Sequence, residues 1–400
     1  MSIRLFVLIL YTGLYLEVTA FQLLRIYSLR RPAPENVSDM YGRRSYARWQ
    51  RCQHDLSLFN ICRFSFDYTL IMVLILTGVL FTFSSLSVII RALCSGFIAF
   101  YLYIIPSCQI AIKQKYGLSN KDPQRYMQKG LLSFAITFIV YVVCDTCFVP
   151  VKIEHKTVAN ISLTEFLFIF LAFLSVRYYF RAIKQYRRCM KIEGRELSLK
   201  LRNLAQSGGV STIEFQGTPY CNGIMEAAIY RLFRRNVVVF SKSLLTSMED
   251  DSICAVAAHE IGHAVHKHMV YKDILSIFLT SGIIIAIWSF YSLLFSHSSM
   301  PNQLKTIYEV SLLVGILIGI PVCIIAKNRI YQLQELQADA YAVQAGLGNE
   351  LITALKLSER NRIREMNPHP LLQLLNTDHP PITQRIEQIE REKQRVCTFF

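Results

Sequence analysis

The stretch Ala258-His259-Glu260-Ile261-Gly262-His263-Ala264 places two histidines four positions apart. On a helix that spacing puts both imidazoles on one face, about a turn from each other. Neither Ile261 nor Gly262 is charged or a proline, so a helix can run through the motif. Both rings can then reach a single zinc ion, and Glu260 between them is placed to take a proton from a water that the metal activates. A pattern this short also arises by accident, so the reading needs a third ligand.

Working outward, residues 195–205 read as an amphipathic helix that ends before Ser207-Gly208-Gly209. Residues 211–215 and 236–240 read as strands, the second an unbroken apolar run, with a further strand expected between them at 221–230. Thr246 with Glu249 three residues on has the form of a capping box opening the motif helix. Downstream, residues 330–346 carry a helical pattern that contains Glu335-Leu336-Gln337-Ala338-Asp339. The tail from Asn349 reads as two or three amphipathic helices interrupted at Asn367-Pro368 and His379-Pro380-Pro381.

The third ligand follows from elimination between two known designs. One takes a further histidine and would need glycine and histidine at positions 266 and 269, where this chain has His266 and Met269. The other takes a glutamate from a later helix. Glu335 fits, and Asp339 four residues on shares its face and can hydrogen-bond a ligand histidine. His266 and His268 read as exposed helix residues, and His54, His155 and His297 as loop residues. His379, ahead of two prolines, reads from the local pattern alone as a turn residue.

The surroundings of the motif set its solvent. The 400 residues are 52% hydrophobic and 18% charged, with mean hydropathy +0.32, whereas soluble domains carry about 25% charged residues. The apolar residues cluster in runs at about 5–27, 68–89, 92–112, 131–149, 163–176, 274–295 and 307–325, the second and third joined at Ile90-Arg91. The fold class expected is therefore mainly α: a polytopic membrane protein with about seven transmembrane helices and a cytosolic zinc-metalloprotease domain carrying a small β-sheet. Residues 1–180 would form an N-terminal membrane region of five spans. Residues 181–400 would form the metallopeptidase domain, interrupted by the last two spans. The net charge of +15 sits between the spans, in basic loops around Arg43 to Arg63 and Lys113 to Lys129, rather than in a nucleic-acid-binding patch. The positive-inside rule puts those loops and the motif in the cytosol and the N-terminus in the lumen. Eleven scattered cysteines give no disulfide framework.

Together these features resemble the type 1 CAAX prenyl proteases, seven-span zinc endopeptidases of the endoplasmic reticulum. Residues 258–264 and Glu335 to Asp339 carry the likeness most specifically. Thr377-Asp378-His379-Pro380-Pro381-Ile382-Thr383-Gln384-Arg385-Ile386 is similar to the family's late His-Pro motif. Tyr220-Cys221-Asn222 followed by residues 236–245 resembles the edge-strand segment on which that family lays its substrate. The resemblance implies that His259, His263 and Glu335 bind one Zn2+ per chain and that Glu260 is the catalytic base. It further implies that His379 stabilises the oxyanion and that Asn222 and Arg385 bind substrate. The implied substrates are prenylated CAAX proteins or peptides, which lose their last three residues, with a second upstream cut in some precursors. The implied location is the endoplasmic reticulum membrane and, as an extension, the nuclear envelope. The chain departs from the family at Tyr220-Cys221, where histidine-serine is usual, and at Gln332, where arginine is usual. Two other readings stay open: a membrane quality-control protease of broader specificity, and a seven-span receptor or transporter with an accidental motif.

Overall fold

The computed structural model describes residues 3–32, 34–37, 40–79, 87–147, 190–192, 194–209, 213–218, 225–232, 235–275, 279, 282, 302–360 and 363–398. The spans expected at 163–176 and, for the most part, 274–295 lie outside these residues. The chain forms two compact units: Met1–Leu29, Arg43–Phe170 and Pro301–Glu309 in the first, and Arg30–Gly42, Leu171–Met300 and Val310–Phe400 in the second.

The first unit holds helices α1 (Ile3–Ser28), α2 (Arg43–Leu76), α3 (Val88–Lys115) and α4 (Pro123–Cys147), each packed on the next. Polar groups inside these helices find partners across them: Tyr15 and Ser65 share a 3.0 Å hydrogen bond, and Tyr101 donates to Asp67 at 2.6 Å. Outward-facing Leu16, Phe66, Phe97, Ile98 and Leu102 are exposed, an apolar surface that lipid rather than water satisfies.

Among the described residues, four helices are long and apolar enough to cross a membrane: Arg4–Ser28, Arg43–Leu76, Val88–Lys115 and Glu309–Gln344. Three of these differ from the expected spans in instructive ways. The basic segment from Arg43 to Arg63, His54 included, is helix and not loop. It contains neither proline nor glycine, and arginine, glutamine and leucine are good helix formers, so α2 starts well before its apolar part. The break between the second and third spans lies before Val88, since the Ser87 side chain accepts from Ile90 N and caps α3. The last span does not end near residue 325. From α8 (Asn302–Val314) the chain passes through a π-helical turn, Gly315–Gly319, directly into α9 (Ile320–Gln344), with Pro321 just after that turn.

The second unit contains a four-stranded sheet of β1 (Met190–Lys191), β2 (Ile213–Gly217), β3 (Ala227–Leu232) and β4 (Arg235–Phe240) in the order β1-β2-β4-β3. β4 runs parallel to β2 and antiparallel to β3, with Phe215 opposite Val238 and Ile229 opposite Val238 on its two sides. Val237, Val238, Val239 and Phe240 are all buried, as an interior strand covered on both faces requires. The segment expected at the sheet edge is thus an inner strand. The sheet's edges are β1 and β3, and on this side β3 lies outside β4 because the hairpin folds it there.

Helix α5 (Arg195–Ser207) buries Leu197 and Leu201 against β4 and against α7 (Asp250–Val265), the motif helix. The expected capping box is not formed. Ser241 instead caps a short helix, α6 (Lys242–Ser247), whose Thr246 hydroxyl donates to Lys242 O, and Glu249 takes the N-cap position of α7 without a side-chain bond. α7 is buried nearly all round: Ile253, Cys254 and Ala257 face the sheet core, while Ala255 and Ala258 pack with Ala342, Leu351 and Ile389. A helix enclosed in this way carries small side chains where neighbours press closest. The tail forms α10 (Gly348–Arg360), α11 (Pro370–Asn376) and α12 (Ile382–Thr398), three helices where two or three were expected.

Candidate metal centre and its cavity

Two helices bring the site together. α7 presents His259 and His263, and α9 presents Glu335 and, one turn later, Asp339. They cross closely because Gly262 lies at the contact. A Cβ there would stand 3.0 Å from the Ala338 Cα and 3.0 Å from the Tyr341 Cβ. The filler residue of the motif is therefore a packing residue, and Ala338 between Glu335 and Asp339 is its counterpart.

The ligand atoms converge. His259 Nε2 and His263 Nε2 are 3.2 Å apart, His259 Nε2 is 3.4 Å from one Glu335 oxygen, and His263 Nε2 is 3.3 Å from the other. The two rings stand at 88°. Tetrahedral ligands at zinc distances of about 2.0–2.1 Å are separated by about 3.3–3.4 Å, so the spacing fits such an ion. Among the described residues these three form the group able to hold a metal, and all are buried. Two imidazole nitrogens and a carboxylate packed together away from water need a cation or shared protons between them, and the donor set is one that zinc favours.

The rings are oriented from behind. Asp339 accepts from His259 Nδ1 at 2.9 Å, and Arg385 grips Asp339 with Nη2 at 2.6 Å and Nε at 2.8 Å. Burial opposes a charge on His259, yet the Asp339 and Glu335 carboxylates outweigh it and raise its pKa to about 9. At His263 burial wins, helped by the charge on His259, and the pKa falls to about 4. Burial raises the Glu260 pKa, although the His259 charge works against it. Arg385 is raised by Asp339 in spite of its burial, so it is always charged.

His379 comes from the turn before α12 and lies 3.0 Å from Glu335, Nδ1 to Oε2, with its side chain 53% exposed. A cavity of about 760 Å³ opens beside it. His259, Glu260, His263, Glu335, His379 and Arg385 all line this cavity, as do Met225 to Ile229 at the outer strand β3. Asn222 lies outside the described residues.

Two neighbours were not foreseen. His268 is buried, not exposed: the chain turns back at Lys267, whose φ of 55° is left-handed, and seats the His268 ring against His263. Burial pushes its pKa down to about 4. Lys272 places Nζ 3.7 Å from Glu335 and 5.1 Å over the Tyr331 ring. Neither has a motif signal, since both depend on how the chain leaves α7. His266 is exposed, as expected.

A helix bearing two histidines and a general-base glutamate, with a third ligand from a second helix, defines a metallopeptidase. The chain matches the family model for peptidase family M48 over residues 193–393, half its length, and belongs to that family. It is 30% identical over 180 residues to the CAAX prenyl protease 1 homolog of Arabidopsis thaliana, covering 42% of this chain and 41% of that protein. It is 27% identical over 226 residues to Protease HtpX of Glaesserella parasuis, covering 50% of this chain and 78% of that protein. The match thus spans about two fifths of the length of the plant relative. The crystal structure of Ste24p from S. mikatae superposes with a TM-score of 0.60 at 18% identity, over 97% of this chain and 99% of that one, and so shares the fold. The resemblance seen in the sequence to the CAAX prenyl proteases is borne out at the level of family and fold.

Proposed function

We propose that the protein is a zinc endopeptidase that removes the last three residues of prenylated CAAX proteins at the cytosolic face of the endoplasmic reticulum membrane. The observation that carries this reading is the triad of His259, His263 and Glu335 at zinc spacing, facing a cavity shared with Glu260, His379 and β3. Zinc held there supplies Lewis-acid chemistry: it polarises a peptide carbonyl and makes water acidic enough to attack near neutral pH.

The chain's own residues do the rest. The substrate adds to the outer edge of β3 as a further strand, and Asn222, a few residues earlier in the sequence, is a further substrate-binding residue. Glu260 accepts the proton of the attacking water and delivers it to the leaving amide nitrogen. His379 donates to the oxyanion of the tetrahedral intermediate. Arg385, held through Nε and Nη2 by Asp339, leaves Nη1 to bond substrate backbone. A cavity of about 760 Å³ accepts a short peptide together with part of a prenyl chain. The wider reading includes about seven spans, a lumenal N-terminus, a membrane region over 1–180 and a peptidase domain over 181–400. Basic segments between the spans support this topology. The 11 cysteines, of which Cys52, Cys254 and Cys397 are among the free thiols, agree with a reducing cytosolic side.

The likeness to HtpX favours a second reading, a membrane protease of broader specificity. One assay separates the two: purified protein given a farnesylated Cys-a-a-X peptide or its non-prenylated twin, each with and without a chelator. Chelator-sensitive cleavage of the prenylated peptide alone supports the first reading. Equal cleavage of both supports the second, and no cleavage of either overturns both.

A further inference from the structure

We propose that His268 is a positioning residue that fixes the tautomer of His263 from behind and thereby tightens metal binding; this rests on the metalloprotease reading above. Asp339 does this for His259, but among the described residues no carboxylate bonds His263 Nδ1. What is there is His268, whose Nδ1 lies 2.9 Å from His263 Nδ1, while its Nε2 lies 2.9 Å from Gln337 Oε1 on the ligand helix.

Each of these contacts needs one donor and one acceptor, and neutral imidazole carries one of each. The chain of hydrogen bonds can therefore run in only two senses. In one, Gln337 Oε1 accepts from His268 Nε2, His268 Nδ1 accepts from His263 Nδ1, and His263 Nε2 keeps its lone pair facing His259 and Glu335. In the other, the Gln337 amide is turned round, His268 Nδ1 donates, and His263 must carry its proton on Nε2, where a metal would bind. Only the first sense is compatible with a ligand, and it is the one the structure has, because the Gln337 oxygen and not its amide nitrogen faces His268 Nε2. With its proton held there, His268 offers Nδ1 as an acceptor and keeps the His263 proton on Nδ1.

The backbone supports the assignment. Lys267 takes φ 55°, a left-handed conformation that is strained for any residue with a side chain. The turn it makes ends α7 at its C-cap, His266, and starts the next helical segment at residue 268. The His266 ring then stacks on His268 at 5.4 Å and 18°, which leaves His268 2% exposed. A helix running on without that turn would carry position 268 away from His263.

The test is zinc affinity, measured by competition with a chromophoric chelator, together with the d–d absorption of the cobalt-substituted protein. His268→Asn keeps an acceptor near the Nδ1 position. His268→Gln sends its amide to the Nε2 position, where it meets Gln337 and leaves His263 without an acceptor. His268→Gln is expected to lower affinity about 10- to 100-fold and to shift the cobalt spectrum. His268→Asn is expected to stay within about threefold of wild type and to retain the spectrum. Both substitutes are polar and smaller than or similar in size to histidine, so a packing role alone would move them together. Equal affinities in the two variants, whether both unchanged or both reduced, overturn the proposal. A wild-type protein that binds no zinc overturns the metalloprotease reading itself, which is a different result.

Discussion

At the scale of single residues, the site divides its work by environment. Glu260 is held uncoordinated beside the ligands, so Glu260→Gln is expected to keep the metal and lose turnover by about 100-fold or more; His263→Ala should lose both. Metal content and cleavage of the prenylated peptide, measured on the same preparations, check this. His379, exposed on the cavity side, is expected to act on turnover: His379→Ala should lower kcat by about 100- to 1000-fold with little change in KM. A change in KM alone would remove it from the oxyanion role. The two ligand histidines also differ in what they hold before metal arrives. His259 is protonated up to about pH 9 and His263 only below about pH 4. Near neutral pH, uptake of zinc must therefore displace the proton of His259 and none from His263. Affinity should rise with pH until about 9 and then level off, with about one proton released per metal, measurable by calorimetry in buffers of different ionisation enthalpy.

At the scale of elements, the crossing of α7 and α9 sets the ligand spacing. Gly262→Ala puts a methyl 3.0 Å from the backbone of Ala338, which cannot yield as a side-chain tip would. The helices must separate, at a cost of about 1–3 kcal/mol, and Glu335 moves away from the histidines with them. Thermal unfolding should show the loss of stability, and chelator competition a loss of zinc affinity although no ligand is changed. The Asp339–Arg385 pair ties α9 to α12 inside the unit, with Asp339 fully buried and the Arg385 side chain 12% exposed. Removing one partner strands the other charge: Arg385→Ala should cost about 3–5 kcal/mol. The double variant Asp339→Leu/Arg385→Met should recover much of that stability, which a denaturant series would reveal. The helices themselves were legible from periodicity, and α5, α7, α9 and the three tail helices lie where the pattern puts them. Their ends were less so. Caps decide ends, and Ser241 and Ser87 outcompeted the boundaries that composition suggested.

At the scale of the whole molecule, one finding joins the membrane to the chemistry. A single helix, Glu309–Gln344, is apolar enough to span a bilayer and also carries Glu335 and Asp339. A metal ligand built on a long helix is held more rigidly than one carried on a loop. The segment between the first two helices also has a structural part in the second unit. Arg31 donates to Pro368 O, Asn367 to Pro32 O, and the Tyr41 hydroxyl to Glu359 O. Tyr41 lines the cavity as well. Tyr41→Ala should therefore alter selectivity among prenylated peptides more than it alters metal affinity, a comparison of kcat/KM across substrates against chelator competition.

Sequence by itself determined the parts that local chemistry dictates. Spacing put His259 and His263 on one face, the Glu335 and Asp339 pair on another, and apolar runs of sufficient length required a lipid solvent. What only the tertiary structure decided were the relations between segments distant in the chain. Those are the close crossing at Gly262, β3 rather than β4 as the sheet edge, the fusion of span and ligand helix, and the seat of His268 behind His263. Periodicity and composition report which face of an element seeks burial. Which neighbour it meets there depends on turns such as Lys267 and on backbone clearances, and these take effect only once the helices have packed.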